Sequence, residues 1–247
     1  MGDRLKLSVG QAFLDWFRNH VADKGFMSVA QETFALGWVF FRDSLPDRRR
    51  QRYGDADYDW DHRVDTTGAT VSWRSRLLGL FHSPYQPTDP NLFQEIMASL
   101  RVDFREFTFI DIGSGKGRVL LMAAEYPFRR IVGIELLPEL HRVAQQNIRR
   151  YKNDRRQCFE IECIQGDAGE FLFPAELSVL YLFNPLPRAG LIRMLGNLWQ
   201  SLQNFPRRVI LIYHNPLLEE VILDCGPFNR IGGTHQYSIF ESHALHR

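Results

Sequence analysis

From about residue 90 onward, short apolar runs alternate with longer segments whose apolar residues recur at helical spacing. Short runs rich in β-branched and aromatic residues predict five strands, at residues 107–112, 130–135, 159–164, 177–183 and 208–213. Helices are predicted between them, at residues 117–125, 138–151 and 188–203. Strands separated by helices favour right-handed crossovers, so the pattern predicts an α/β fold with a doubly wound parallel sheet. Two further runs, 228–231 and 236–241, predict an antiparallel hairpin that closes the sheet.

The first part of the chain follows a different pattern, and we predict a helical cap with a linker at residues 1–90 and a main domain at residues 91–247. Apolar stripes predict two helices, at residues 7–21 and 27–41, which we expect to pack on the main domain rather than on a membrane. Residues 46–68 are polar and predict a linker or a mobile loop. The alternating aspartates of this segment are spaced as in an EF-hand calcium loop, but the segment lacks the Gly and the Glu that such a loop needs. No metal site is therefore predicted.

Composition and charge narrow the classes of function. The chain has 247 residues, 45% of them hydrophobic and 24% charged, which is typical of a folded globular protein. Thirty Lys and Arg against 29 Asp and Glu give a net charge of +1, so no strong nucleic-acid binding is expected beyond a local patch such as the arginines at 48–52. Three cysteines are too few for a disulfide framework, and no apolar run spans a bilayer. We therefore expect a cytoplasmic protein without a membrane partner.

The clearest chemical signal is a glycine-rich loop between the first predicted strand and the first predicted helix. It runs from Asp111 to Gly117 with the sequence DIGSGKG. Glycines at such a turn allow a tight bend and a close approach of ligand to main chain, and the start of the following helix offers unpaired N–H groups. The loop's place between strand and helix therefore predicts a nucleotide-type ligand.

Carboxylates at the ends of three successive predicted strands indicate which kind of nucleotide the glycine loop binds. A dinucleotide loop has the form G-x-G-x-x-G, whereas this loop is G-x-G-x-G, and Asp111 would repel a pyrophosphate. Asp111 instead suits a ligand with no phosphate and a cationic amino-acid end, as in S-adenosylmethionine. Glu135 can accept the hydroxyls of a ribose, and Asp167 can reach the amino group of adenine. Since ligands of open α/β sheets bind at the carboxyl ends of the strands, we predict S-adenosylmethionine as the cofactor.

The sequence also resembles a known family. The stretches FIDIGSGKGR, VGIELLPEL, CIQGDAGEF and LYLFNPLP resemble successive motifs of class I S-adenosylmethionine-dependent methyltransferases, over about residues 93–213. DIGSGKGRVLL and the upstream SPYQPTDPNLF are similar to the non-SET histone lysine methyltransferases and to uncharacterised bacterial relatives. The resemblance implies a Rossmann-like, seven-stranded methyltransferase sheet with an N-terminal helical extension. VDTTG, at 64–68, resembles a recurring element of the bacterial group that has no assigned role.

In that group a loop before the first strand closes over the methionine end of the cofactor, and two residues here match it, Tyr85 and Thr88. Together, the resemblance and the strand-end pattern predict these cofactor-binding residues: Tyr85, Thr88, Asp111, Gly113, Ser114, Gly115, Gly117, Glu135, Leu136, Gly166, Asp167, Ala168 and Asn184. The helical extension is expected to cover the cofactor and to shape the entrance for the substrate.

The segment Asn184-Pro185 gives the only indication of a substrate. With the Leu and Pro that follow, it resembles the N-P-P-aromatic motif with which many amino-directed methyltransferases hold a substrate nitrogen, but it departs from that motif at the last two positions. Asn184 and Pro185 are accordingly the predicted catalytic residues, and an amine on a protein or small molecule is the predicted methyl acceptor. Asn184 has a second interpretation as a turn former before a proline.

Methyl transfer requires alignment more than a dedicated nucleophile, because the sulfonium charge already activates the methyl group. An acceptor that must lose a proton would need a base, and His82 and His214 are the two residues placed to supply one. Two other functions share this architecture: an NAD-type Rossmann oxidoreductase, and a catalytically inactive module that binds S-adenosylmethionine.

Overall fold

The computed structural model describes residues 56–67 and 86–242, together with Arg18. Apart from Arg18, the two predicted N-terminal helices lie outside the described residues, as do the arginines at 48–52, His82 and Tyr85. The chain divides into two compact units, residues 57–66 with 87–247 and residues 1–56 with 67–86. Nearly all of the described residues belong to the first unit, which contains the sheet.

The sheet has seven strands, which confirms the predicted α/β fold. They are β1 Thr108–Ile112, β2 Arg130–Glu135, β3 Ile161–Gln165, β4 Ser178–Phe183, β5 Val209–His214, β6 Phe228–Gly233 and β7 Tyr237–Ser242. Their order in the sheet is β3-β2-β1-β4-β5-β7-β6. The first five strands are parallel, and β7 pairs antiparallel with both β5 and β6. The chain reverses its winding between β1 and β4, so the carboxyl ends of these strands form the crevice in which ligands of doubly wound sheets bind.

Helices flank the sheet in the part of the chain that the structure describes. They are α1 Ala56–His62, α2 Pro90–Ser99, α3 Arg118–Ala123, α4 Pro138–Arg150, α5 Arg188–Asn204 and α6 Glu219–Cys225. The caps follow from sequence: Asp89 accepts hydrogen bonds from the first amides of α2, and Pro138 occupies the first position of α4, where its missing N–H costs nothing. None of these helices is long and apolar enough to cross a membrane.

Two hydrophobic clusters cover the two faces of the sheet, because successive strand residues point to opposite sides. On one face the ring of Phe93 from α2 packs edge-on against Phe109 of β1 and Tyr181 of β4, with centroids 6.1 and 5.9 Å away. On the other face Ile110 of β1 lies in one cluster with Leu191 and the other buried residues of α5. Burial on both faces makes the central strands a rigid base for the loops at their carboxyl ends.

Residues 57–66 are built into the same unit as the sheet, so the expectation of a linker or mobile loop is wrong for them. Tyr58 is buried, and its ring stacks on His62 with a centroid distance of 4.3 Å. His62 in turn stacks on Tyr151, just after α4, at 5.5 Å. We call residues 57–66 the strap.

Candidate functional site

The glycine loop forms a turn that only glycines adopt without strain. Gly113, Gly115 and Gly117 have φ angles of +77°, +55° and +84°. The amides of Gly113 and Ser114 both donate to the carbonyl of Ile134 at 2.9 Å, which fixes the loop against β2. Gly113 also lies against Pro185, because a Cβ atom at Gly113 would come within 2.4 Å of the Pro185 Cβ. The structure thus brings the predicted Asn184-Pro185 segment directly against the glycine loop.

Asp111 is an almost fully buried carboxylate at the carboxyl end of β1. Its side chain is 3% exposed, and none of the described residues donates a hydrogen bond to it. Burial, and then the nearby charge of Glu135, raise its pKa well above the usual range. A buried carboxylate without a donor is costly, so this group is suited to a ligand that brings a cationic or N–H donor to it.

Glu135 lies at the end of β2 and holds the backbone on both sides of it. One carboxylate oxygen accepts the amide of Gly115 at 2.7 Å, and the other accepts the amide of Leu137 at 2.8 Å. Burial raises the pKa of Glu135 to about 7, and the amide hydrogen bonds oppose that rise. Each oxygen keeps a second acceptor position, so the residue can hold the loop and accept ligand hydroxyls as well.

The raised pKa of Glu135 predicts a specific pH dependence of stability. Between the ordinary value of 4.5 and about 7, the folded protein binds more protons here than the unfolded chain does. The contribution of protonated Glu135 to the free energy of unfolding is therefore complete below pH 4.5 and is lost as the pH rises through 7. Relative to Glu135→Gln, we expect the ligand-free protein to lose on the order of 3 kcal/mol of unfolding free energy across this window, measured by urea denaturation. Parallel pH profiles for the two proteins would contradict this.

The turn after β3 carries the third predicted carboxylate. Asp167 accepts the amide of Gly169 at 2.8 Å and so caps the short 3-10 turn Ala168–Glu170. Its other oxygen lies 3.6 Å from the guanidinium of Arg193. Gly166 donates its amide to the Glu135 carbonyl at 3.0 Å, which ties the end of β3 to the end of β2. The predicted residues 166–168 therefore lie at the same edge as the glycine loop, with Asp167 also serving the turn.

Asn184 follows β4 with a φ of +43°, in the left-handed region that asparagine tolerates. Its side-chain oxygen accepts the hydroxyl of Tyr213 at 2.9 Å. Because Pro185 then packs on Gly113, two contacts fix the turn, one with Tyr213 and one with Gly113. Asn184 is thus a turn residue whose oxygen already has one donor, and none of the described residues accepts a hydrogen bond from its side-chain nitrogen.

Thr88, Tyr181 and His214 form a buried hydrogen-bonded chain. The Tyr181 hydroxyl lies 3.1 Å from the Thr88 hydroxyl and 2.7 Å from Nδ1 of His214. The ring of Phe183 stacks on His214 with a centroid distance of 3.8 Å. Burial lowers the pKa of His214 to about 4, so the imidazole is neutral at physiological pH and is a weak base. Thr88, predicted as a cofactor-binding residue, therefore contacts Tyr181. Tyr181 is in turn paired in register with Asp111 of β1.

The strap contacts two cations of the glycine loop and its helix, and these contacts were not predicted from the sequence. Lys116 and Arg118, in and just after the glycine loop, are 1% and 2% exposed. Asp65 of the strap receives Nζ of Lys116 at 2.8 Å. Arg118 donates to the Thr66 hydroxyl at 2.7 Å and lies 3.4 Å from the Asp59 carboxylate, and Thr66 also bonds to Asp59. Asp65 and Thr66 of the VDTTG element thus supply partners for Lys116 and Arg118.

A buried amide joins the strap to the loop through the backbone. The Asn147 side chain of α4 accepts the amide of Asp65 at 2.9 Å and donates to the carbonyls of Asp65 and Lys116 at 2.8 and 2.9 Å. The guanidinium of Arg118 also lies over the ring of Tyr58, 4.8 Å from the centroid of that ring. The sequence signals were two cations, Lys116 in the glycine loop and Arg118 just after it, and the Asp of VDTTG, but their pairing depends on tertiary contact.

Comparison with known families gives one match. Residues 105–189 match the model of a family described as "Putative methyltransferase". The matched residues include the glycine loop, Glu135, the turn at 166–168 and Asn184-Pro185. No curated protein matches the chain.

The solved structures that are similar to this chain include three methyltransferases with different names. An RNA methyltransferase from Salinibacter ruber, in complex with S-adenosyl-L-homocysteine, is 20% identical, with 64% of this chain and 92% of that chain covered and a TM-score of 0.42. Mitomycin 7-O-methyltransferase is 15% identical over 62% of this chain and 52% of its own, with a TM-score of 0.46. A predicted N6-adenine-specific DNA methylase from Listeria monocytogenes is 13% identical over 64% of this chain and 52% of its own, with a TM-score of 0.47. The chain thus spans about half the length of two of these three.

Proposed function

We propose that this protein is an S-adenosylmethionine-dependent methyltransferase. The observation that carries the proposal is Asp111, a buried carboxylate with no donor among the described residues, next to a glycine loop at the carboxyl edge of the sheet. The same carboxylate argues against an NAD-type oxidoreductase, because it would face a pyrophosphate. The family match over residues 105–189 supports the same assignment.

The residues present fit this cofactor by the chemistry of their donors and acceptors. Asp111 would meet the ammonium of the methionine end, Glu135 the ribose hydroxyls, and the turn at 166–168 the adenine. Gly115, with a φ of +55°, has no side chain to keep a ligand from the main chain of the loop. S-adenosylmethionine supplies a methyl group that its own sulfonium charge activates. The task of the protein is therefore to align the acceptor with that methyl group and to exclude water.

The predicted acceptor is a nitrogen on a protein or small amine, and the placement of Asn184-Pro185 supports this. Because Pro185 packs on Gly113, the side chain of Asn184 is held beside the loop that would bind the cofactor. The neutral, buried His214 is unsuited to remove a proton from an alkylammonium, since its pKa of about 4 lies far below that of an amine. We therefore assign His214 to the support of Tyr181 and propose that the acceptor arrives as a neutral amine.

Transfer of label from S-adenosylmethionine tests the proposal. Purified protein is incubated with methyl-tritiated cofactor and a cell extract, which is then separated into protein, nucleic acid and small molecules, with Asp111→Asn as the matched control. We expect label that exceeds the control in protein or small amines and that survives mild alkali, which hydrolyses methyl esters but not methylamines. Label confined to nucleic acid would overturn the proposed acceptor. No label above the control in any fraction would favour the inactive binding module.

A further inference from the structure

The glycine loop contains an electrostatic conflict with the proposed cofactor. S-adenosylmethionine has a positive sulfonium and a positive ammonium, whereas the loop and its helix carry two cations of their own, Lys116 and Arg118. Both side chains are buried in the body of the unit, where charges are poorly screened. Burial lowers the pKa of Arg118 to about 10, which still leaves it charged at neutral pH. Lys116 and Arg118 would by themselves oppose the attraction that the carboxylates of Asp111 and Glu135 offer to a cationic ligand.

The strap supplies the opposite charges. Asp65 lies 2.8 Å from Nζ of Lys116, and Asp59 lies 3.4 Å from the Arg118 guanidinium. The strap is fixed there by contacts other than its charges, since Asn147 binds the backbone of Asp65 on both its amide and its carbonyl. The two carboxylates are therefore held at set positions on the loop cations, whatever else contacts those residues.

We propose that the strap is a charge-compensating part of the cofactor site: Asp65 and Asp59 neutralise Lys116 and Arg118, so that the glycine loop accepts a sulfonium. Asp65 and Asp59 are positioning residues, because they act through the loop and not on the ligand. This inference rests on the proposed function. It gives a role to the VDTTG element, whose Asp and first Thr make the contacts.

A comparison of S-adenosylhomocysteine with S-adenosylmethionine separates charge compensation by the strap from support of the fold by the strap. S-adenosylhomocysteine has the same adenosine and amino-acid ends as S-adenosylmethionine but lacks the sulfonium charge. If the strap only supports the fold, its loss would weaken the binding of both ligands equally. Loss of compensation would weaken S-adenosylmethionine more, by about tenfold for an extra unit charge about 10 Å away at an effective dielectric of about 20.

The experiment compares the Kd values of both ligands, by calorimetry, for wild type, Asp65→Asn and the double variant Asp65→Asn with Lys116→Met. Asparagine keeps the shape of Asp65 and its backbone contacts, and methionine keeps most of the Lys116 side chain without its charge. We expect Asp65→Asn to raise the Kd of S-adenosylmethionine about tenfold more than that of S-adenosylhomocysteine. In the double variant we expect the wild-type ratio of the two Kd values to return.

The matched control is Asp103→Asn, which breaks an exposed ion pair with Arg105 before the start of β1, at the opposite edge of the sheet from the glycine loop. It should leave both Kd values unchanged. Equal weakening of the two ligands in Asp65→Asn, or no weakening, would overturn the inference. So would a ratio that stays altered in the double variant. Wild-type protein that binds neither ligand would instead overturn the proposed function, and the two failures are therefore distinguishable.

Discussion

Asp111→Asn is expected to lower the affinity for S-adenosylhomocysteine by thirtyfold to a thousandfold, on the order of 2–4 kcal/mol, because it removes a buried charge from a ligand cation. The substitution keeps the size and shape of the side chain. The same change should stabilise the ligand-free protein, since the carboxylate is 3% exposed, has no donor among the described residues, and has a pKa that burial raises. Equilibrium titration measures the first effect and thermal unfolding the second.

The opposite signs of these two effects make the prediction specific. A residue that only supports the fold would lose stability and binding together. A higher melting temperature with weakened binding is expected only where a site holds an unfavourable charge for its ligand. Asp111→Asn with wild-type affinity would contradict the assignment of Asp111, and lower stability would contradict the account of its burial.

Gly113→Ala is expected to destabilise the protein by about 2–4 kcal/mol and to abolish measurable ligand binding. The added Cβ would lie 2.4 Å from the Cβ of Pro185, and the residue has a φ of +77°, which alanine rarely adopts. The clash with Pro185 pushes the loop away from the turn after β4, and the unfavourable φ strains the loop itself. Urea denaturation and titration with S-adenosylhomocysteine measure the two losses.

Gly196→Ala provides the matched control for this substitution. Gly196 lies inside α5, and a Cβ atom there would meet nothing within 4 Å. Alanine is the better helix former by up to about 1 kcal/mol, so this variant should be as stable as wild type or slightly more stable, with unchanged binding. A Gly113→Ala protein that behaved like Gly196→Ala would contradict the tight contact between loop and turn.

Much of the fold could be predicted because its elements have a strong local pattern. The strand at 130–135 has the predicted bounds, and the helix from Pro138 ends one residue before the prediction. β3 starts later than predicted, at Ile161, and Phe159 is 73% exposed. An apolar residue there resembled the start of a strand because sequence alone does not distinguish an exposed aromatic ring from a buried one.

The hairpin and the strap show where prediction from sequence stopped. The hairpin was predicted, but local pattern does not specify that β7, the last strand, inserts between β5 and β6. In the strap, four of the seven residues of α1 are Asp or His, so no apolar stripe was visible. Its place depends on contacts between residues 51 to 82 positions apart in the chain: Asp65 with Lys116, Asp59 with Arg118, and Asp65 with Asn147. Ion pairs at that separation leave no periodic signal.

The site was predictable to the extent that parallel strands bring their carboxyl ends to one edge. Asp111 lies near the carboxyl end of β1, Glu135 ends β2 and residues 166–168 follow β3, and these three strands are neighbours in the sheet. The contact of Pro185 with Gly113 could not be predicted, because it depends on how the turn after β4 bends. The same holds for the hydrogen bond from Tyr213 to Asn184.

A calorimetric titration of the wild-type protein with S-adenosylhomocysteine, with NAD titrated in parallel, tests whether the carboxyl edge of the sheet binds the proposed cofactor. The carboxylate-lined edge at Asp111 and Glu135 predicts saturable one-to-one binding of S-adenosylhomocysteine and no heat of binding for NAD. Binding of NAD without binding of S-adenosylhomocysteine would contradict the account and would favour an oxidoreductase on the same sheet.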